Sequence, residues 1–189
     1  MERIAEYPIN QIFPDRWSPR SMDGNPLEEK ELFSLLEAAR WSPSSGNAQP
    51  WRYLYARAGT DHFQTFFNLL APGNQSWCKR AGALLVVVSK KFLDSGRLSP
   101  THSYDAGASW MSFALQASMN GLVAHGMAGF DFEKARTELE IPEEYHVNAM
   151  IAVGYPGNAE DLTENERSRE KKSPRKPIQE FIFEGKFHA

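Results

Sequence analysis

Two short segments of this sequence carry side chains with chemistry to offer. Pro43-Ser44-Ser45-Gly46-Asn47-Ala48-Gln49-Pro50-Trp51 sets two hydroxyls and two carboxamides around a glycine. Such groups hydrogen-bond the edge atoms of a heterocycle, and they are equally the residues of a capped turn. Upstream, Arg16-Trp17-Ser18-Pro19-Arg20 places a guanidinium fork on either side of a hydroxyl. An anionic phosphate needs that set, although two exposed arginines that bind nothing fit the segment as well. His102, His125 and His146 stand alone, without metal-ligand spacing, and read as structural or surface residues.

These segments lie between recognisable elements. Asn25, Pro26 and Glu28 supply an N-cap, a first-turn proline and a third-position glutamate, so a helix is expected to start there. Leu32, Leu35, Leu36 and Ala39 form its buried stripe, and it ends near Trp41, where Pro43 and Gly46 open the loop. Strands are expected over 51–56, 83–88, 122–127 and 147–153. A helix over 61–70, capped by Thr60, is expected between the first two, and a short one from the cap Asp131 through Leu139 before the last. From Tyr104 to Asn120, apolar residues cover almost the whole helical circumference, and Gly121 is a plausible C-cap. Such a helix is either the centre of the core or is covered on one face by a partner subunit.

After Pro156 the composition changes. Charges of both signs dominate 160–176, which predicts an exposed arm without a core. Ile178, Phe181, Ile182, Phe183 and Phe187 then restore apolar character, and we expect this end to dock on a second subunit.

The 189 residues suit one domain spanning 1–189, with 41% hydrophobic and 24% charged residues. A formal charge of −3 and a pI near 6.0 give no global attraction to nucleic acid or to an anionic membrane surface. The lone Cys78 excludes an internal disulfide framework and reads as a small buried hydrophobe. No run approaches 18 apolar residues and the start lacks a signal-peptide pattern, so a soluble, cytoplasmic protein is expected.

In combination, the motifs resemble one family. Arg-x-Ser-x-Arg at 16–20, then Glu37-Ala38-Ala39-Arg40, then the 43–51 loop are similar in order and spacing to the N-terminal third of the FMN-dependent nitroreductases. The similarity continues through Gly73-Asn74-Gln75-Ser76-Trp77, Asp105-Ala106-Gly107, Gly126-Met127-Ala128-Gly129-Phe130, Ile141-Pro142 and Val153-Gly154-Tyr155-Pro156. The resemblance implies an α+β fold of three α/β/α layers with a mainly antiparallel central sheet. It also implies a homodimer with two FMN sites at the interface, and residues 159–189 forming a dimerisation arm.

By that resemblance, Arg16, Trp17, Ser18 and Arg20 supply the element that holds the phosphate and the pyrimidine end of the flavin. Pro43, Ser44, Ser45 and Asn47, with Gln49, come from the other subunit. Asn74, otherwise the N-cap of a short helix, matches an asparagine that bonds the flavin pyrimidine ring. Ala128 and Gly129 match backbone amides near flavin N5 and O4, and Arg175 completes the phosphate site after crossing from the partner. Many members carry a lysine where Trp77 stands and an acidic residue where Ala128 stands. The implied activity takes electrons from NADH or NADPH through FMN to a nitroaromatic, quinone or similar small electrophile. No metal and no catalytic side chain are implied. Other reactions on the same fold, namely reductive dehalogenation, flavin fragmentation or passive flavin carriage, are the alternatives.

Overall fold

The computed structural model describes residues 3–187, so the first two and last two residues of the expected 1–189 domain lie outside it. A one-turn helix, α1 (Ile12–Asp15), leads into the extended 16–27 stretch, and α2 (Glu29–Arg40) follows. Helix α2 starts later than the Asn25 cap predicts. Asn25 instead bonds Asp23 through its backbone and side-chain amides, at 2.8 and 2.6 Å, and Leu27 N donates to Gly82 O at 3.4 Å. These bonds hold 25–27 flat against the chain that becomes the second strand. Gly82 is required there, since a Cβ would lie 2.8 Å from Asn25 O. The helix is capped by Glu28 and Glu31, each side chain bonding the other's backbone amide.

Next come β1 (Trp51–Arg57), the short helices α3 (Phe63–Phe67) and α4 (Pro72–Cys78), and β2 (Ala83–Lys90). Thr60 does not cap α3: its hydroxyl bonds Arg57 O at 2.8 Å, closing the turn after β1, and the helix begins at Phe63. The long α5 (His102–Met119), β3 (Val123–Met127), α6 (Phe132–Glu138), β4 (Tyr145–Gly154) and α7 (Glu164–Ser168) complete the order. Asp131 caps α6 by accepting from Lys134 N. At the end of α5, Gly121 takes φ +72°. Its amide bonds Ser118 O and that of Leu122 bonds Ala117 O, the paired closure that a left-handed residue permits.

The four strands form one antiparallel sheet in the order β1-β2-β4-β3. Residues alternate between the faces of a strand, so central β2 feeds two cores. Leu84, Val86 and Val88 pack with Phe66, Trp77, Cys78 and Met150 on the α3, α4 and α6 side. Ala83, Leu85 and Val87 pack with Leu32, Leu35, Phe113 and Ile151 on the α2 and α5 side. Helices cover both faces, which is why β2 reads as a continuous apolar run and why the fold is a three-layer α+β sandwich.

One alternative is removed and one expectation is corrected. Helix α5 buries Ala106, Ser109, Phe113 and Ala117 against the sheet and α2, yet Tyr104 is 81% exposed and Met119 60%, so within one chain it is not the centre of the core. The 160–176 stretch is not a bare arm. Leu162, Glu166 and the Glu170 side chain are buried, because each carboxylate is satisfied by donors from the body of the protein. The C-terminal segment also runs along the chain's own N-terminal segment, where Arg3 Nε bonds Ser173 O at 2.8 Å and Ile178 N bonds Glu6 at 3.1 Å.

Candidate functional site

Residues 16–21 follow α1 as an extended segment fastened from two sides. From β3, His125 Nδ1 donates to Pro19 O at 3.1 Å. From the C-terminal segment, the Glu170 carboxylate accepts Arg20 N at 2.8 and 3.0 Å, Ser21 N at 2.9 Å and Ser21 Oγ at 2.8 Å. So fixed, the segment turns Arg16, Trp17, Ser18 and Arg20 toward a cavity of about 240 Å³, completed by Arg3, Arg169, Lys171, Ser173 and Arg175.

Six cationic side chains, from Arg3, Arg16, Arg20, Arg169, Lys171 and Arg175, thus line one small space. The acid that ion-pairs with a member of the set is Glu170, 3.9 Å from Arg20. Burial, and then the charge of Arg175, push the Arg3 and Arg16 guanidinium groups below their ordinary pKa. Arg16 Nη1 reaches Ser18 Oγ at 3.4 Å, whereas the buried Arg16 Nε has no hydrogen-bond acceptor among the described residues. A buried charged donor without an acceptor is costly, and a multivalent anion answers both the missing acceptor and the crowded charge. The residues present therefore fit a phosphate group.

Arg175 reaches this cavity within the same chain, contrary to the expected crossing from a partner. The physical reason is that the segment is anchored before Arg175 at Glu170 and Ser173 and after it at Ile178, all to residues 3–21 of the same chain. Arg3, Arg169, Lys171 and Ser173 escaped sequence reasoning, because in a run of mixed charge nothing marks which cations fold inward.

A second group forms where α4 meets the loop after β3. Helix α4 starts at Pro72 behind Ala71, so Asn74 is inside the helix and is not its cap. Asn74 Nδ2 instead donates to Gly129 O at 2.9 Å, leaving its carbonyl oxygen to accept from elsewhere. A Cβ on Gly129 would sit 2.6 Å from that amide nitrogen, so the close approach depends on glycine. Ala128 and Gly129 are exposed residues beside it.

The 43–49 loop forms a third, separate group. Gly46, Asn47 and Gln49 have φ of +57°, +56° and +45°, and two of these are non-glycine residues in the left-handed region. Ser44 Oγ holds Gln49 N at 3.0 Å, and Asp105 holds Ser45 N at 3.3 Å, which supports the strained turn. None of Pro43, Ser44, Ser45, Asn47 or Gln49 lines the cationic cavity of its own chain.

Trp77, at the position where the resembled family often has lysine, is buried, with its ring centroid 4.8 Å from that of His125. Burial pushes the His125 pKa down. His102 Nδ1 meets Ser89 Oγ at 2.8 Å, and its ring lies edge-on to His146 at 5.7 Å. Among the described residues no group of three or more His, Cys, Asp or Glu side chains forms a metal site. No described helix is long and apolar enough to cross a membrane.

A model of the nitroreductase family matches residues 14–62 and 55–155. The chain belongs to the nitroreductase family. A solved structure of an oxidoreductase containing FMN is 41% identical, over 99% of this chain and 96% of the other, with a TM-score of 0.95. An NADH dehydrogenase of Thermus thermophilus is 26% identical over 173 residues, 75% of this chain and 83% of that protein. A 5,6-dimethylbenzimidazole synthase of Rhodospirillum rubrum is 25% identical over 184 residues, 84% of this chain and 87% of that protein. For a nitroreductase-family chain, the three groups above are the ones the sequence motifs single out.

Proposed function

We propose that this nitroreductase-family chain is an FMN-dependent oxidoreductase that passes electrons from NADH or NADPH to a small electrophile such as a nitroaromatic or a quinone. The observation that carries this reading is the cationic cavity, with the unaccepted Nε of Arg16 inside it. The 41% identical structure that contains FMN supports the choice of phosphate-bearing ligand. The likeness to an NADH dehydrogenase supports the donor class.

Bound FMN would supply the electron-carrying heterocycle, and no side chain is assigned a catalytic role. Arg16, Ser18, Arg20 and Arg175 bind and orient the phosphate end. Asn74, through its free carbonyl oxygen, and the backbone of Ala128 and Gly129 bind the polar edge of the ring. The clustered cations favour a more negative ligand state over a less negative one, which eases electron uptake.

Pro43, Ser44, Ser45, Asn47 and Gln49 would close the site from a second copy of the chain. The motive is their separation from the cationic cavity in a single chain and the uncovered outer face of α5 at Tyr104, Met111 and Met119.

The test is a visible spectrum of the purified protein, followed by anaerobic addition of NADH and NADPH and then of a quinone. Flavin absorption that bleaches with a nucleotide and returns with the quinone is expected. Protein that stays colourless after incubation with FMN would overturn the reading. The likeness to the Rhodospirillum rubrum synthase favours a second reading, in which flavin is consumed by fragmentation. Intact flavin recovered after many turnovers excludes it.

A further inference from the structure

The two ends of the proposed flavin site lie on separate parts of the chain: the 16–20 segment at one end, and Asn74 with Gly129 at the other. One ring bridges them. His125 lies on β3, four residues before Gly129 and on the same stretch of chain. Its Nδ1 holds the carbonyl of Pro19, between Ser18 and Arg20, at 3.1 Å. Its face lies on Trp77 of α4, the helix that carries Asn74, with centroids 4.8 Å apart and planes tilted by 44°.

The geometry points to His125 as the positioning residue that fixes the anion-holding segment 16–20 relative to the Asn74–Gly129 pair, a role that rests on the FMN reading above. Pro19 is buried, so its carbonyl oxygen must be paired, and a buried acceptor left unpaired would drive the segment to move. Proline has no N–H with which to fasten itself, which leaves the carbonyl as the backbone handle at this residue. Burial lowers the ring's pKa and keeps it neutral, so its single proton must sit on Nδ1 to donate to Pro19. Trp77 is 2% exposed, which gives the ring a fixed floor. A flavin that engages both ends at once needs their spacing to be set before it arrives. A ligand engaging only the ring end does not.

The test compares FMN with riboflavin, which lacks the phosphate, on the full-length protein and on His125→Phe and His125→Asn. Phenylalanine keeps the ring on Trp77 and removes the donor. Asparagine restores an N–H close to the Nδ1 position. His125→Phe should bind FMN roughly tenfold more weakly while its riboflavin affinity stays within about twofold, the size of a lost buried hydrogen bond. His125→Asn should recover most of the FMN affinity. Nitrogen NMR of the unmodified protein should show the Nδ1-protonated neutral ring whether or not a variant is stable. An unchanged ratio of FMN to riboflavin affinity in His125→Phe, or an Nε2-protonated ring, would overturn this role and leave the FMN reading standing. Wild-type protein that binds FMN no better than riboflavin would instead overturn the phosphate assignment itself.

Discussion

The carboxylate of Glu170 accepts both the backbone amide of Arg20 and that of Ser21, across 150 and 149 residues of sequence. It thereby joins the C-terminal segment to the segment that carries Ser18 and Arg20. Glu170→Gln should lose roughly 1.5–3 kcal/mol of that fastening, the range for hydrogen bonds to a charged group. The expected outcome is faster trypsin cleavage after Arg169, Lys171 and Lys172, with inorganic phosphate or FMN slowing cleavage in the unmodified protein. Equal cleavage rates in both proteins would show that Glu170 does not hold the segment.

Arg16→Ala should weaken FMN far more than riboflavin. Removing one partner of a desolvated charge pair costs about 2–5 kcal/mol, on the order of 30-fold to several thousand-fold in affinity. Titration by flavin fluorescence measures both ligands, and equal losses would place the phosphate elsewhere.

Gly129→Ala tests the other end. The added methyl would meet Asn74 Nδ2 at 2.6 Å, so either the Asn74–Gly129 bond opens or the backbone shifts. Such overpacking costs roughly 1–3 kcal/mol. FMN and riboflavin should be weakened alike, in contrast to Arg16→Ala, and equilibrium dialysis of the two flavins separates the patterns.

Acid should destabilise the fold in two steps. His125 and His102 have pKa values below 6.5, through burial first, so the unfolded chain binds more protons than the folded one just below that pH. Stability therefore falls as pH drops through 6.5. Burial raises Glu166, but hydrogen bonds from Ser76 and Thr163 outweigh it and hold the group below 4.5, which adds a second loss beneath that value. Thermal midpoints across pH should show a shallower slope below 6.5 in His125→Asn and a shallower slope below 4.5 in Glu166→Gln. An unaltered profile in both would remove these groups from the acid response.

If a second copy supplies the 43–49 loop, the uncovered face of α5 is part of the contact. Met111→Glu places a charge there, at a residue that is 37% exposed in the single chain. Sedimentation should show dimer converting to monomer, with FMN released in parallel. A flavin-bound monomer would exclude a site shared between copies.

How much of this was legible in the sequence differs from residue to residue. Central β2 was legible because Ala83 to Val88 is apolar on both faces, and the only place for such a run is between two layers. Asp131 was legible because a cap acts within four residues of chain. Asn25 and Thr60 were misread because each has a nearer partner that competes for it, Asp23 in one case and Arg57 O in the other. Arg16, Ser18, Arg20 and Arg175 were singled out by motif, and the structure brings all four to one cavity. Arg3 and Lys171 were invisible, since their inward turn depends on contacts made 150 or more residues away.

The cationic cavity also has a history in time. A ribosome makes Arg3, Arg16 and Arg20 early and adds Glu170 only 150 residues after Arg20. Throughout that interval the nascent segment around Pro19 has neither the Glu170 carboxylate nor the later cations, and even His125 is more than a hundred residues away. The sheet can pair while the chain is still growing, because its four strands are complete by Gly154. The cavity cannot form until residues 169–175 have emerged. If FMN is held here as proposed, its capture is confined to the period after that late stretch leaves the exit tunnel, and a protein stalled before it would have its four strands but no cavity to load.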